Sequence, residues 1–388
     1  MDYVIIGNGV AGIEAAIAIR KFDDEGSIRL ISCSPYPFYY RPRLSEYLKG
    51  GVSLASFTVY KPDFYSERKI TNILGTTVTA LHPDSRTIIL ENGSSLDYDR
   101  LLLATGSKSF LPSIPGINDP CVHSLRTVAD ADRILECTTD AGRVLVVGGG
   151  LLGLEMAYYL SSNARKVTII EHSGRLLPRQ LDEQGAVVLR RILEEKIGLE
   201  FVLSETISTI ETSREVHEVI CESGTRLKTD LVLVATGIRC RTELAREAGI
   251  AVNRGIIVDD FLTTSYPHIF SAGDACEHNG RTYGIWPVAR TQGQIAGSNM
   301  SGVCQEYRGS VPSTTLKIPG VNLFSAGDFL ATDGEILVSS GEYEYRKLVM
   351  RDGKPVGGIV LGDPAAMVAA MRVFDGRAPV DVLLKFFE

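Results

Sequence analysis

Residues 3–16 read YVIIGNGVAGIEAA, and the rest of the chain is organised around this stretch. Residues 4–6 form the apolar, β-branched run that is typical of a buried parallel strand. Gly7, Gly9 and Gly12 follow in the spacing G-x-G-x-x-G, and apolar and small residues then continue with the period of a helix. The stretch therefore predicts a strand, a tight turn and the start of a helix.

Each glycine of that spacing has a physical task. Gly7 permits the turn, Gly9 lets the backbone approach a pyrophosphate, and Gly12 lets the helix pack closely on the strand. The helix N-terminus presents free N–H groups and a positive dipole end to phosphates. A single match of this kind also occurs as an ordinary glycine-rich turn in α/β folds.

The same pattern recurs in residues 144–157, VLVVGGGLLGLEMA, where Gly148, Gly150 and Gly153 repeat the spacing after an apolar strand. Two such fingerprints, each flanked by a strand and a helix pattern, predict two dinucleotide sites in one chain. Two sites suggest one cofactor that stays and one that comes and goes.

Length, composition and charge narrow the possible classes of protein. A chain of 388 residues predicts two or three domains, and 44% hydrophobic with 22% charged residues is typical of a globular protein. A net charge of −7 argues against nucleic-acid binding. The N-terminal apolar run is too short for a membrane span or a secretory signal. Seven scattered cysteines without a C-x-x-C pair predict no metal site and favour a cytoplasmic location.

A second duplicated pattern closes each half of the chain. Residues 96–106 read LDYDRLLLATG and residues 228–237 read KTDLVLVATG, so each pairs an aspartate with an apolar strand that ends in Ala-Thr-Gly. The repeat predicts two related nucleotide-binding units. Each Ala-Thr-Gly can also be a plain turn at a strand end. The residues predicted to lie beside the cofactors are Ala104, Thr105, Gly106 and Gly237.

An acidic residue closes the second strand of one unit. Residues 166–170 form an apolar strand that ends in Glu171, which lies 171 − 148 = 23 residues after the first glycine. A carboxylate at this point accepts hydrogen bonds from ribose hydroxyls and repels a 2′-phosphate. The sequence therefore predicts NADH over NADPH, although Arg175 and Arg179 nearby could accommodate a phosphate.

The first unit lacks that acid. Its second strand, residues 28–31, runs into Ser32, Cys33 and Ser34. We expect the hydroxyls of Ser32 and Ser34 to replace the carboxylate at the ribose.

Residues 35–49, PYPFYYRPRLSEYLK, are dense in aromatic and cationic side chains. One interpretation is a packed surface loop rich in turn residues. The functional interpretation is a lid over a flat ring system, in which Arg41, Pro42 and Arg43 lie near a phosphate or the ring itself.

Residues 263–276, TTSYPHIFSAGDAC, complete a set of motifs in register: GNGVAG, YDRLLLATG, GGGLLG followed by a glutamate, ATGIR and TTSYPHIFSAGDA. Over about residues 1–310 this set resembles the two-dinucleotide-domain flavoproteins of the pyridine nucleotide–disulfide oxidoreductase superfamily. The resemblance implies an α/β fold with two Rossmann-like dinucleotide-binding domains and a small C-terminal α+β domain. We expect a discontinuous FAD domain (1–110 and 240–309), an NAD(P)H domain (111–239) and a C-terminal domain (310–388).

The resemblance also implies roles for individual residues. FAD is expected in the first unit, with FMN as the alternative, and NADH in the second. Asp274, after Gly273, is expected to hydrogen-bond the ribityl chain. The helix within residues 286–297, which carries Ala289 and Gln292, is expected to point its N-terminus at the flavin, where it would stabilise negative charge.

The branch of the superfamily is indicated by residues 39–48, YYRPRLSEYL. Disulfide-reducing branches carry redox-active cysteine in this region, and this chain has none there. The string resembles NADH:rubredoxin oxidoreductases and the flavoprotein module of assimilatory nitrite reductases. Related reductases carry lysine directly after the serine, where this chain has Glu46. We expect Arg43 to supply that cation and Glu155 to lie near the nicotinamide, and we assign both to catalysis.

These expectations combine into an FAD-dependent NADH oxidoreductase that passes electrons to a small acidic iron–sulfur protein, rubredoxin or ferredoxin, as a monomer or homodimer. An acidic enzyme would need a basic rim to bind such a partner. The candidates for this rim are Arg41, Arg43, Lys49, Arg290, Lys317, Arg346 and Lys347. Two alternatives stay open, an NADH oxidase that reduces oxygen and a redox-sensing flavoprotein.

Overall fold

The computed structural model describes residues 1–139, 141–161, 165–212 and 217–388. Its strands, numbered in chain order, are β1 (Asp2–Ile6), β2 (Ser27–Ile31), β3 (Ile70–Ile73), β4 (Val78–His82), β5 (Thr87–Leu90), β6 (Ser95–Asp97), β7 (Arg100–Leu103), β8 (Ser107–Ser109), β9 (Val122–His123), β10 (Arg143–Val147), β11 (Lys166–Glu171), β12 (Glu200–Leu203), β13 (Ile207–Thr212), β14 (His217–Cys221), β15 (Arg226–Thr229), β16 (Leu231–Val234), β17 (Ile238–Cys240), β18 (Ile256–Val258), β19 (Ile269–Ser271), β20 (Cys276–His278), β21 (Ser313–Leu316), β22 (Leu323–Gly327), β23 (Glu335–Ser340), β24 (Tyr345–Arg351) and β25 (Lys354–Leu361).

The α-helices are α1 (Val10–Phe22), α2 (Leu44–Tyr47), α3 (Pro62–Glu67), α4 (Val128–Thr138), α5 (Leu151–Ser161), α6 (Glu183–Ile192), α7 (Glu243–Glu247), α8 (Trp286–Met300), α9 (Pro364–Phe374) and α10 (Asp381–Leu384). Among the described residues, none of these helices has both the length and the apolar character that crossing a bilayer would require.

The chain divides into two compact units. The first unit comprises residues 1–42, 53–108 and 238–310, and the second comprises 43–52, 109–237 and 311–388. The C-terminal residues thus group with the second nucleotide fold, as does the short segment 43–52. The three-domain division expected from sequence stays a prediction.

The first unit is built on a parallel five-stranded sheet in the order β19-β7-β1-β2-β3. The apolar run of β1 lies in its centre with Val4 and Ile5 fully buried, as a strand covered on both faces requires. Helix α1 packs against α8, and glycines make this approach possible. A Cβ at Gly293 or Gly297 would lie 2.4 Å from the carbonyl oxygen of Ala11 or Ala15, respectively.

The second unit repeats the arrangement with a sheet in the order β12-β11-β10-β16-β9. The apolar strand β10 again lies in the centre and is followed by the glycine turn and helix α5. The two central strands pair with their neighbours in the same register, since Ile6 faces Ile31 in the first sheet and Val147 faces Ile170 in the second. The duplication read from the motifs is therefore also a duplication of strand pairing.

The C-terminal part of the second unit is an antiparallel sheet in the order β21-β22-β25-β24-β23, covered by helices α9 and α10. The hairpin between β24 and β25 turns at Asp352 and Gly353, both of which have positive φ. Helix α9 begins after Asp363, whose carboxylate accepts hydrogen bonds from the backbone N–H of Ala365 and Ala366.

Helix α6 joins this sheet to the nucleotide-binding part of the same unit. Asp182, which caps α6, accepts a hydrogen bond of 2.6 Å from the Tyr345 hydroxyl and lies 3.2 Å from Nζ of Lys347. Burial, followed by the nearby Asp182, raises the pKa of Tyr345 well above its ordinary value, so the hydroxyl remains a donor. The C-terminal sheet is thus held to α6 by a partly buried polar contact.

Candidate dinucleotide-binding sites

The first glycine turn brings β1 against the end of β7. Gly7 has φ of +118°, and a Cβ there would lie 2.0 Å from the carbonyl oxygen of Ala104. A Cβ at Gly12 would lie 1.9 Å from the carbonyl oxygen of Gly7. These two glycines are therefore required by the fold itself, and they place the predicted Ala104 beside the turn.

Gly9 differs from its neighbours because a Cβ there would meet no described atom within 4 Å. It lies at the N-cap of α1 with ordinary extended φ and ψ, and its hydrogen side chain offers the helix no cap. Beside it, both polar atoms of the Asn8 amide are buried, and the amide oxygen has no hydrogen-bond partner in the described part of the chain. Open space at a helix N-terminus, with an unpartnered amide oxygen in the preceding residue, fits the diphosphate and adenosine of a dinucleotide.

The carboxyl ends of β7 and β19 carry the other predicted residues of this unit. Asp274 accepts a hydrogen bond of 2.8 Å from the Ser107 hydroxyl, a partner that the motifs did not reveal. The Thr105 hydroxyl donates a hydrogen bond to the Arg241 carbonyl oxygen, so this side chain already has a partner within the first unit. Gly106, which follows Thr105, has positive φ.

Gln292 connects α8 to the turn at Gly273. Its Oε1 accepts a hydrogen bond from the Gly273 N–H, and hydrogen bonding from its amide N–H to the Tyr307 hydroxyl partly offsets the burial that raises the Tyr307 pKa. The amide nitrogen carries two N–H groups, so one is left for a bound group. Ala289, one turn earlier on α8, is buried near Gly273.

The aromatic loop contributes Arg41 and Pro42 to the first unit. The Arg41 guanidinium lies 5.6 Å from the centre of the Tyr39 ring. Its orientation is therefore supported by a cation–π contact, which is worth about 0.5–1 kcal/mol at an exposed site.

The second glycine turn repeats the first. A Cβ at Gly148 would lie 2.6 Å from the Ala235 carbonyl oxygen, and one at Gly153 would lie 2.0 Å from the Gly148 carbonyl oxygen. A Cβ at Gly150, like one at Gly9, would meet no atom of the described residues within 4 Å. Gly237, in the second Ala-Thr-Gly, has φ of +115°, and its carbonyl oxygen accepts a hydrogen bond from the Phe110 N–H.

Glu171 lies at the end of β11 and is 5% exposed. One carboxylate oxygen accepts a hydrogen bond of 2.6 Å from the Gly149 N–H, and the other accepts one of 2.8 Å from the Ser173 N–H. His172 Nδ1 lies 2.8 Å from the same carboxylate. The carboxylate is thus fixed beside the glycine turn, where the sequence predicts the NADH ribose.

Glu155 on α5 is 8% exposed and held from two sides within the second unit. Its carboxylate accepts a hydrogen bond of 3.0 Å from the Ser45 hydroxyl and another of 3.0 Å from the Lys317 backbone N–H. Burial raises the Glu155 pKa, while these two bonds and the Lys317 charge oppose the shift. The contacts of Ser45 and Lys317 with Glu155 were not predicted from sequence, because they span more than a hundred residues.

Arg43 forms an ion pair with Glu46. Its Nε and Nη2 donate hydrogen bonds of 2.7 and 2.8 Å to the two carboxylate oxygens of Glu46. This bidentate pair lowers the Glu46 pKa. The departure from lysine at position 46 is therefore accompanied by a local Arg43–Glu46 pair, and the catalytic role of Arg43 stays a prediction.

Replacing Glu155 by glutamine should change how stability depends on pH. Because burial raises the pKa above its ordinary value of 4.5, native Glu155 binds its proton at pH values where the unfolded chain has lost it. Stability then falls as pH rises from about 4.5 through the raised pKa. Glutamine carries no charge, so E155Q should melt about 2–4 °C above the wild type at pH 8, with the difference closing toward pH 4.5. Thermal melts across this range measure the effect.

The matched control is E222Q, since Glu222 is exposed. It should follow the wild-type melting curve at every pH. A difference between E155Q and the wild type that is the same at all pH values would contradict the assigned burial effect.

The sequence predicted no metal site. Among the described residues, one group of three potential ligands occurs, with atoms of Asp119, Cys121 and His217 within 4.8 Å of one another. Asp119 already accepts hydrogen bonds from the Cys121 N–H and the Thr212 hydroxyl. Burial raises the pKa of the Cys121 thiol well above its ordinary value, which keeps it protonated.

Comparison with known proteins connects both glycine turns to one family. The family model described as pyridine nucleotide-disulphide oxidoreductase matches residues 1–293, three quarters of the chain. The chain belongs to the pyridine nucleotide-disulphide oxidoreductase family. A second model, described as the rubredoxin NAD⁺ reductase C-terminal domain, matches residues 312–370.

Individual members of the family resemble the chain over most of its length. The assimilatory nitrate reductase electron transfer subunit of Bacillus subtilis is 36% identical over 365 residues, which cover 93% of this chain and 47% of that protein. The ferredoxin reductase component of chlorobenzene dioxygenase from Cupriavidus sp. is 32% identical, with coverage of 97% and 93%. The crystal structure of NADH:rubredoxin oxidoreductase from Clostridium acetobutylicum superposes with a TM-score of 0.79 at 27% identity, with 99% of both chains covered.

These comparisons confirm the predicted resemblance and the predicted fold class. They also confirm, at the level of the family, an FAD-dependent NAD(P)H oxidoreductase with FAD and NADH as cofactors. The chain spans about half the length of the Bacillus subtilis relatives that it matches. The individual site residues, the oligomeric state and the cytoplasmic location stay predictions.

Proposed function

We propose that the protein passes electrons from NADH through FAD to a small iron–sulfur protein such as rubredoxin, without a redox-active cysteine on the path. The observation that carries the proposal is the match of residues 312–370 to the rubredoxin NAD⁺ reductase C-terminal domain. The segment of residues 39–48 also supports the proposal, because it contains no cysteine. Its buried Ser45 hydroxyl instead donates a hydrogen bond to Glu155.

The residues of the chain bind and orient rather than react. The helix N-termini at Gly9 and Gly150 supply N–H groups to the diphosphates, and Glu171 accepts the hydroxyls of the NADH ribose. Asp274, positioned by Ser107, would hold the ribityl chain, and Gln292 would offer an amide N–H to the bound group. When bound, FAD supplies the exchange between a two-electron donor and one-electron acceptors.

The overall reaction balances without any side chain changing its redox state. One NADH gives two electrons and one proton as a hydride, and two oxidised acceptor proteins each take one electron. The products are NAD⁺, one proton and two reduced acceptor proteins.

Two of the seven candidates for the predicted basic rim are largely buried. Arg346 is 15% exposed and paired with Glu344 and Asp363, while Lys347 is 14% exposed and paired with Asp182. Both are therefore poor candidates for contacting a partner. Among the candidates in the second unit, Lys49 is exposed and Lys317 is half-buried, and the charges of both lower the pKa of Glu46.

Assays of the purified flavoprotein, run in parallel under argon and in air, test the proposal. With NADH and rubredoxin, we expect two rubredoxins reduced for each NADH consumed, at a rate well above oxygen consumption in air. NADH oxidation that consumes oxygen at the same rate with and without rubredoxin would favour the oxidase alternative. A stable NADH complex without turnover on rubredoxin, ferredoxin or oxygen would favour the redox sensor.

Reversing the charge of Lys49 should weaken the encounter with an acidic acceptor. Because electrostatic steering acts mainly on association, K49E is expected to lower kcat/KM for rubredoxin by roughly 3- to 10-fold at low salt and less at high salt. Stopped-flow reduction of the flavin by NADH should keep its rate. These two rates measured at two ionic strengths provide the check.

The control is K354E, which makes the same charge change at an exposed lysine in the β24–β25 hairpin. It should leave both rates unchanged. An equal loss in K49E and K354E would show that net charge, and not this surface, governs the encounter.

A further inference from the structure

The two units offer a direct comparison of how each ends its second strand. The Gly7 N–H donates to the Ile31 carbonyl oxygen at 2.8 Å, and the Gly148 N–H donates to the Ile170 carbonyl oxygen at 2.7 Å. Since these contacts are equivalent, the residue after each carbonyl is equivalent too. Ser32 in the first unit therefore occupies the place of Glu171 in the second.

The Ser32 side chain accepts one of the two backbone hydrogen bonds that the Glu171 carboxylate accepts in the other unit. In the second unit one carboxylate oxygen accepts from the Ser173 N–H and the other from the Gly149 N–H. In the first unit the Ser32 hydroxyl oxygen accepts from the Ser34 N–H at 3.2 Å, which is the counterpart of the first of these bonds. A serine has only one side-chain oxygen, so it cannot also supply the second acceptor.

Asn8 lies at the equivalent position to Gly149, and it is the residue that sequence reasoning passed over. Both Nδ2 and Oδ1 of its amide are buried, and Oδ1 has no hydrogen-bond partner within the residues that the structure describes. The Tyr65 hydroxyl accepts from the Phe38 N–H, and hydrogen bonding from the Asn8 amide N–H offsets part of the burial that raises the Tyr65 pKa. A buried amide oxygen left unpaired is costly, which points to a bound group as its partner.

We propose that Asn8 and Ser32 together hold the adenosine ribose of FAD in place of the carboxylate that Glu171 supplies to NADH. The ribose diol needs two acceptors, which are the Asn8 carbonyl oxygen and the remaining lone pair of the Ser32 hydroxyl. The Ser32 proton and the remaining Asn8 N–H are donors to the ribose oxygens. The first site thus recognises its ribose with neutral groups, whereas the second uses a charge. The inference rests on the FAD site of the proposed function.

The test compares FAD with an FAD analogue whose adenosine carries a 2′,3′-dideoxyribose, both titrated into the apoprotein by flavin fluorescence. N8G is the variant of choice because the second unit already has glycine at this position. We expect N8G and S32A each to weaken FAD binding about tenfold. Wild type should bind the analogue with a similar loss, and neither variant should weaken the analogue further.

A second variant keeps the test independent of folding. N8G/S32E rebuilds the Gly149–Glu171 arrangement in the first unit, and charge-assisted hydrogen bonds are roughly twice as strong as neutral ones. It should bind FAD at least tenfold more tightly than N8G. Variants that lose FAD and the analogue equally, or that bind FAD as the wild type does, would overturn the proposal.

These readouts are separate from the acceptor reaction. Normal FAD binding with no rubredoxin turnover would count against the proposed function alone. Unchanged FAD affinity in N8G and S32A, with normal rubredoxin turnover, would count against this inference alone.

Discussion

Replacing Gly9 by alanine is expected to yield a folded protein that has lost most of its affinity for FAD. A Cβ at Gly9 meets no described atom of the protein within 4 Å, and its backbone has ordinary extended angles, so the fold accepts alanine. The methyl group would instead occupy the space where a diphosphate approaches the N-terminus of α1. We expect the FAD dissociation constant to rise about 100-fold or more, measured by flavin retained after gel filtration and by fluorescence titration.

Gly150 provides the matched experiment in the second unit. A Cβ at this position would likewise have no neighbour within 4 Å among the described residues, so G150A should fold and keep its flavin. It should fail to be reduced by NADH at concentrations that saturate the wild type. Together the two variants assign one cofactor to each turn.

The control for both variants is their neighbour in each motif. A Cβ at Gly12 or Gly153 would lie within 2.0 Å of a backbone oxygen, so alanine there should disturb folding, seen as a lower melting temperature. G9A that retains FAD like the wild type would show that the first turn does not bind the diphosphate. G150A that loses flavin while binding NADH normally would reverse the assignment.

Replacing Glu171 by glutamine is expected to relax the preference for NADH over NADPH. The carboxylate is buried and fixed by the Gly149 and Ser173 N–H groups, so a 2′-phosphate would face a charge that cannot move away. Like charges placed together at a binding site cost several kcal/mol. We expect E171Q to lower the ratio of kcat/KM for NADH to that for NADPH by roughly 30-fold, or about 2 kcal/mol.

Part of this change should come from better use of NADPH, because the charge is removed. The rest should come from poorer use of NADH, because the glutamine Nε2 cannot accept the backbone N–H that one carboxylate oxygen accepts. The measurement is flavin reduction by each nucleotide in stopped flow. E222Q, which removes the same charge from an exposed position, should keep the wild-type ratio. An unchanged ratio in E171Q would mean that discrimination lies elsewhere, with Arg175 and Arg179 the next positions to test.

The strands and turns of both nucleotide folds were predictable because local sequence dictates them. The strand expected at residues 28–31 is β2 (Ser27–Ile31), and the one expected to end in Glu171 is β11 (Lys166–Glu171). Apolar, β-branched runs that are bounded by glycines strongly favour buried strands.

The surroundings of Glu155 were not predictable in the same way. Its partners are a hydroxyl 110 residues away and the backbone N–H of Lys317, and a main-chain donor leaves no signature in the sequence. The Arg43–Glu46 pair, by contrast, has the i, i+3 spacing of neighbours on a helix and was open to local reasoning. The sequence interpretation placed Arg43 near a phosphate or the flavin ring and as the replacement for a lysine, and it missed the pairing with the acid three residues away.

The contact of Asp182 with Tyr345 and Lys347 has a consequence for protein engineering. Truncating the chain before residue 311 would remove the C-terminal sheet from α6. The Asp182 carboxylate would then lose both Tyr345 and Lys347. Exchanging the C-terminal sheet for that of a reductase with another acceptor would meet the same obstacle. A chimera should therefore exchange α6 together with the C-terminal sheet, so that Asp182 and its partners Tyr345 and Lys347 come from the same parent protein.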